Sequence, residues 1–304
     1  MSLPLYQAND AISVAIQSDH FKSSFRDISA KLRESPNQLG SFDSMESIVE
    51  AFVADYESSD DFTFVANANT GEEEVFQLHG VLSETRLPPV LKGNRVSMTS
   101  LVQTVKLISI DDDEDFRIAG HAASRMLEFL QQSTGASVQA PYAVQHGIAR
   151  EFTAVNWLLT PSHSAFPEDV IDLPSTYDPG QTLKSSIDEG KFAFTKDNQV
   201  AFNKLTLDEG NHLQRIMHIK PGTFRPGQIV NIGVSFRLIK SQNSSPMRFI
   251  AHLDSILDDR RFQKSAPTRG LPAKRRPFNE KPKVKGNLCG PVPSQASFPP
   301  MLTD

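Results

Sequence analysis

Two strict alternations of apolar and polar residues towards the carboxyl end are the clearest pattern in the chain. Successive side chains of a β-strand point to opposite faces of its sheet, so each alternation predicts a strand with one apolar face. The segment 241–246 between them is rich in serine and asparagine and ends in proline, which is typical of a turn. The two strands are therefore predicted to form a hairpin. Its alternating positions are Val230, Ile232, Val234, Phe236 and Leu238, then Met247, Phe249, Ala251, Leu253, Ser255 and Leu257.

Near the amino end the apolar residues follow a helical period instead. They recur every three or four positions over 21–32 and again over 45–56. Asp43 and Glu46 precede the second run in the spacing of a capping box. We expect two amphipathic helices in the first 57 residues.

A third helix is predicted after the acidic run 111–115. Carboxylates favour the positive end of a helix dipole, and Gly135 is the expected stop. The same run could instead bind Mg²⁺ or Ca²⁺, but it lacks the spacing and the glycine of an EF-hand loop. A solvated helix start is the favoured interpretation.

The remaining segments read mainly as strands and loops. Strands are expected at 62–64, at 75–78 and within 95–110. The segment 144–159 fits either a helix or a strand. Four prolines in 160–190 predict a long loop, and loops of that length are often functional.

These elements predict an α+β protein in three parts. Residues 1–57 form a helical N-terminal segment, and 58–259 form a β-rich domain with one or two inserted helices. Its sheet is expected to be mainly antiparallel, or a partly open barrel. Residues 260–304 lack apolar periodicity and hold eight of the twenty prolines, so a disordered C-terminal tail is predicted.

Charge divides the chain at the same point. The tail carries ten basic and two acidic side chains, a net charge of +8, whereas the first 259 residues carry −13. Its basic residues resemble a nuclear-localisation or nucleic-acid-binding patch, although a solvated tail is the alternative. The residues that would bind nucleic acid are Lys274, Arg275, Arg276, Lys281, Lys283 and Lys285.

Composition favours an intracellular protein, nuclear or cytoplasmic. No apolar stretch approaches the roughly 18 residues of a membrane span, and the N-terminus lacks the features of a secretory signal. The single cysteine, Cys289, excludes an internal disulfide and a cysteine-rich zinc site. No membrane association and no cofactor are therefore predicted.

The hairpin and the residues before it resemble uncharacterised proteins of mushroom-forming fungi. The resemblance covers about 190–260 and implies a fungal origin and a shared β module, with no assigned activity. Gln228 stands where that family usually has aspartate. The matching motifs are Lys-Phe at 191–192, Asp-Asn-Gln-Val at 197–200, Phe-Arg-Pro-Gly-Gln-Ile-Val at 224–230, Val-Ser-Phe at 234–236 and Leu-Asp-Ser-Ile-Leu-Asp at 253–258.

No motif names a reaction. The nucleophile elbow, the P-loop and the dinucleotide-binding glycine pattern are all missing from the sequence. His212 and His218 would share one face of a strand, but two histidines do not complete a metal site, and no metal is predicted. The strip Arg117, His121 and Arg125 could meet phosphates, although a solvated helix face is favoured.

Two functions follow as hypotheses. The favoured one is a non-enzymatic binding or scaffold protein whose tail contacts nucleic acid or an acidic protein partner. The alternative is an enzyme with its site on the polar face of the hairpin, where His252 and Asp254 are neighbours. The pair could serve acid–base chemistry, although an ordinary surface contact is the favoured interpretation. The candidate pocket residues are Asn231, Arg237, His252 and Asp254.

Overall fold

A computed structural model describes most of the first 259 residues. These are residues 17–32, 35, 37–56, 62–90, 101–110, 113–141, 144, 151–207, 214–241 and 244–259. The chain divides into two units, Met1–Lys264 and Ser265–Asp304, and every described residue belongs to the first. The predicted disordered tail lies outside the described residues.

The fold is α+β, as the sequence predicts. Within the described ranges the helices are α1 (Asp19–Leu32), α2 (Met45–Ala51), α3 (Glu114–Thr134) and α4 (Lys184–Asp188). The strands are β1 (Phe52–Tyr56), β2 (Phe62–Asn67), β3 (Phe76–Arg86), β4 (Val102–Ile108), β5 (Val138–Gln139), β6 (Glu151–Trp157), β7 (Thr160–Pro161), β8 (Phe192–Ala193), β9 (Ala201–Leu207), β10 (Gln214–His218), β11 (Ile229–Ser241) and β12 (Ser244–Asp259). None of these helices has both the length and the hydrophobicity that crossing a bilayer requires.

Five strands close into a ring around the core. β11 pairs with β3, β3 with β4 and β4 with β6, all antiparallel. β6 then meets β12 in parallel, and β12 returns to β11 as the predicted hairpin. Outside the ring, β2 pairs with residues 237–239 of β11, and β1 pairs with β2. On the other side, β9 pairs with β12, and β10 pairs with β9.

The predicted helix after the acidic run is confirmed as α3. The side chain of Asp113 caps its first turn by accepting from the backbone N–H of Asp115, and Gly135 ends it with a φ of 64°. Its apolar stripe belongs to the same buried cluster as apolar residues of the five ring strands. Arg117 pairs with Glu114 and Arg125 with Glu128 on the opposite, exposed face, so the strip is a solvated helix face.

The second predicted helix is wrong in its last turn. α2 ends at Ala51, and Phe52–Tyr56 forms β1 because its backbone pairs with β2 and the Phe52 ring packs against Phe76. The cap also differs, since Ser44 accepts from the backbone N–H of Ser47. Of the segment 144–159, which had two open interpretations, residues 151–157 form a strand, β6, and residues 145–150 lie outside the described residues.

The hairpin is confirmed, but its register contains a β-bulge. Gly233 lies opposite Ser255 and Val234 lies opposite Leu253, so Asp254 is the extra residue. Leu253 and Ile256 are both buried in the core, whereas the expected alternation would have placed Ser255 there. Three polar side chains of the hairpin, Ser235, Arg237 and His252, are also buried.

Candidate ligand-binding cleft

A groove of about 1500 Å³ lies over the polar face of the hairpin, and we call it the cleft. Its floor is the face shared by β2, β11 and β12. Its opposite wall is the segment 157–169 together with the segment 192–199. The predicted loop 160–190 thus contributes one side of the cleft, and its first residues pair with β8 as the short strand β7.

Arg237 occupies the centre of the floor because β11 places it between two neighbours. It lies opposite Phe64 of β2 and Ile250 of β12. Its guanidinium packs over the ring of Phe62, with 4.6 Å from Cζ to the ring centroid. The side chain is only 6% exposed, so its charge must be compensated by protein groups.

Two carboxylates provide that compensation. Nε and Nη2 of Arg237 donate to Glu73 at 2.6 and 2.7 Å, and Nη1 and Nη2 donate to Asp197 at 3.0 and 2.7 Å. Both pairs use the fork geometry that makes arginine a strong partner for carboxylates. Glu73 belongs to the turn after β2, where it bridges to Ala66, and Asp197 belongs to the opposite wall. The ion pairs of Arg237 with Glu73 and Asp197 therefore connect the floor of the cleft to its wall.

These contacts shift the ionisation of both partners. Burial by itself would raise the pKa of Asp197, but the positive charge of Arg237, helped by His252 and the hydrogen bonds, outweighs burial and holds that pKa below its usual value. Burial likewise opposes the charge of Arg237, yet its hydrogen bonds and the two carboxylates raise its pKa further. Asp197 therefore stays ionised at neutral pH.

Buried amides fix the turn that carries Asp197. The side-chain amide of Asn156 on β6 donates to the carbonyl oxygens of Asp197 and Leu253, at 2.9 and 3.0 Å. Asn198 closes a capping box with Thr195, accepts from Thr160 and donates to the carbonyl of Trp157. These hydrogen bonds hold the wall in place.

His252 lies beneath the floor, between two carboxylates. Its Nε2 is 3.7 Å from Oδ2 of Asp197, and its Nδ1 is 3.4 Å from Oδ1 of Asp254. Both separations are too long for good hydrogen bonds. The ring is 1% exposed, so His252 is a buried group rather than a surface one.

The structure brings together three of the four candidate pocket residues. Arg237 and Asp254 line the cleft, and His252 lies directly under it. Asn231 lies apart from it, buried, and donates to Oε1 of Gln77 at 2.8 Å. The basic tail residues Lys274, Arg275, Arg276, Lys281, Lys283 and Lys285 lie outside the described residues, as does His212.

Sequence reasoning missed Glu73, Asp197, Asn156 and Asn198 as members of this site. Asn156 had a usable signal, because it is a polar residue inside an otherwise apolar strand run. Glu73 had none, since it lies in an acidic turn with Glu72 and Glu74. Among the residues that the structure describes, no group of three or more His, Cys, Asp or Glu side chains is arranged to hold a metal ion.

Aromatic side chains form much of the cleft surface. Phe62 and Phe64 lie on the floor, Trp157, Phe166 and Phe192 lie on the wall, and Tyr56 stands at the β1 edge. All are at least partly exposed. Trp157 is the only tryptophan of the chain.

Comparison of the chain with protein-family models, with curated proteins and with solved structures found no match. The resemblance to proteins of mushroom-forming fungi therefore stays a prediction.

Proposed function

We propose that the protein is a non-enzymatic binding module and that the cleft is its ligand site. The observation that carries the proposal is the neutralised floor. The charge of Arg237 is compensated by Glu73 and Asp197 inside an open groove with aromatic walls. A groove of this size exceeds the roughly 300–1,000 Å³ of small-molecule pockets. An extended ligand suits it better.

The state of the charged groups supports binding over catalysis. A general acid or base works best when its pKa lies near the working pH. The pKa of Asp197 is held below its usual value, so this carboxylate is a weak base and holds no proton to donate at neutral pH. Glu73 and Arg237 are engaged with each other in the same network.

One observation favours an enzyme as the second candidate. His252 lies between Asp197 and Asp254, an arrangement that could relay a proton to the cleft. The two candidates differ in what His252→Gln would do. An enzyme would lose turnover and keep its ligand affinity, whereas a binding module has no turnover to lose.

The basic tail supports a second contact of the same non-enzymatic protein. Its net charge of +8 suits nucleic acid or an acidic protein surface. This part of the proposal is carried by the sequence, because the tail lies outside the described residues.

Trp157 allows a direct test of the cleft. Ligand entering the cleft should change the fluorescence of this single tryptophan, so a panel of oligosaccharides, peptides and oligonucleotides can be titrated into the full-length protein. Tyr56→Ala, at the edge of the cleft, should weaken any such response. Val49→Ala is the matched control, because Val49 is 60% exposed and Tyr56 is 54% exposed, and only Tyr56 lines the cleft. A panel in which no compound alters the fluorescence would contradict the proposal.

A further inference from the structure

The charges that line the cleft balance. Its acidic side chains are Glu73, Asp169, Asp197 and Asp254, and its cationic ones are Lys196, Arg237, Lys240 and Arg248. A site for single-stranded nucleic acid combines aromatic platforms with an excess of positive charge along the backbone. The cleft has the aromatic platforms without the excess of positive charge, so a polyanion is disfavoured.

The acceptor groups of the floor define what a ligand must offer. All the hydrogen bonds described for Arg237 side-chain nitrogens go to Glu73 and Asp197. The side chain of Asp197 is 46% exposed, so its carboxylate oxygens can still accept hydrogen bonds from the cleft side. A ligand at this end of the floor must bring O–H or N–H donors.

The other end of the floor has the opposite character. Arg248 lies across from Ile239, next to Lys240, and both basic residues are exposed. Neither has an ion-pair partner among the described residues. These two cations would repel a cationic ligand, and they offer donors to a ligand oxygen. A hydroxyl group both donates and accepts, so a polyhydroxylated ligand satisfies both ends of the floor.

An extended peptide is the less suitable occupant. A bound peptide gains much of its affinity by pairing its backbone with the free edge of a strand. The cleft floor presents the faces of strands, and β11 at its centre already pairs with β2 and β12 on either side of Arg237. The floor therefore leaves no backbone groups of β11 for a peptide to pair with.

The aromatic walls suit the apolar faces of sugar rings. A pyranose ring has C–H bonds on its faces, and their partial positive charge is attracted to the negative face of an aromatic ring. Phe64 on the floor and Trp157 on the wall supply such faces beside the hydrogen-bonding groups. We infer that the cleft binds a neutral oligosaccharide, with its hydroxyl groups on the polar floor and its ring faces on the aromatic side chains. The inference rests on the proposed binding role of the cleft.

The test is a Trp157 fluorescence titration of the full-length protein with neutral oligosaccharides of glucose, mannose, xylose and N-acetylglucosamine. At least one should give a saturable change whose affinity is the same at low and high salt, because a neutral ligand releases no counterions. Tyr56→Ala should weaken that affinity about tenfold, and Tyr56→Phe, which keeps the ring, should bind as the wild type does.

Parallel titrations with oligothymidylate, a heparin fragment and an unstructured peptide separate the two proposals. If only one of these binds, and Tyr56→Ala weakens it, the cleft is a ligand site and the oligosaccharide inference is wrong. If no probe binds, the proposed function fails as well. Cleavage of a bound oligosaccharide that is lost in Asp254→Asn would overturn the non-enzymatic role and keep the ligand class.

Discussion

Arg237 and Asp197 join the hairpin to the opposite wall of the cleft through two hydrogen bonds, at 2.7 and 3.0 Å. The two residues are 40 positions apart and belong to a central strand and a short turn. Because Glu73 holds the same guanidinium from a third segment, one side chain connects three parts of the chain. Substitutions in this network should therefore change the stability of the protein.

Removing Arg237 should destabilise the protein strongly. Arg237→Met leaves Glu73 and Asp197 facing each other without the cation, and because both carboxylates are partly exposed the loss should be about 1.5–3 kcal/mol. Urea denaturation should show the loss as a lower midpoint. Arg125→Met is the matched control, because the Arg125–Glu128 pair is exposed and should be worth less than about 1 kcal/mol. Equal midpoints for the two variants would contradict the structural role of Arg237.

The same pair should make stability depend on pH in the acid range. The folded pKa of Asp197 lies below its unfolded value of about 3.9, so the pair stabilises the fold above that pH and loses its effect as pH falls through the folded pKa. Asp197→Asn should therefore be less stable than the wild type at neutral pH, and the difference should shrink below about pH 4. Denaturation midpoints at several pH values measure it. A constant difference down to pH 2 would show that Asp197 acts through packing alone.

The local sequence pattern predicts most of the helices and strands. The set of residues that meet in the cleft depends instead on pairing between distant parts of the chain. The alternation around Phe236 was enough for the hairpin, and the acidic run was enough for the start of α3. No pattern could place Glu73 next to Arg237, because the two residues are 164 positions apart and only the sheet brings them together. The prediction that the second helix continues to Tyr56 is wrong for the same reason, since the backbone of 52–56 pairs with β2 despite its helical spacing of apolar residues.

Gly233 is a second sensitive point of the hairpin. A Cβ atom there would overlap with Oγ of Ser255 and lie 3.1 Å from Cγ1 of Val75, so Gly233→Ala should cost about 1–3 kcal/mol. Adding Ser255→Ala should recover part of the loss, because it removes the overlapping atom. Gly222→Ala is the control, since its new Cβ would come no nearer than 3.6 Å to Pro89 and should leave the unfolding midpoint almost unchanged. A tolerated Gly233→Ala would place the bulge elsewhere.

Tyr177 should keep its phenolic proton up to strongly alkaline pH. Burial raises its pKa to about 12, and its hydroxyl donates to the carbonyl of Val200 at 3.2 Å. Because the folded pKa exceeds the unfolded value of about 10, this group stabilises the fold below pH 10 and loses that effect as pH rises towards 12. Ultraviolet absorbance should show one late phenolate phase that is missing in Tyr177→Phe, a variant expected to lose about 1 kcal/mol. A Tyr177→Phe protein that keeps the late phase would assign it to another residue.

The basic tail should act independently of the cleft. Replacing its six candidate residues by glutamine in the full-length chain removes six positive charges from the second unit and leaves the cleft sequence unchanged. If the tail contacts nucleic acid, the wild type should retard an oligonucleotide in a salt-sensitive way and this variant should not. Its Trp157 response to a cleft ligand should match the wild type.

Arg117→Gln with Arg125→Gln is the control, because those exposed residues of α3 are already paired with acids and their loss should leave retardation intact. Full retardation by the tail variant would end the nucleic-acid hypothesis for the tail, and a lost Trp157 response would show that tail and cleft act together.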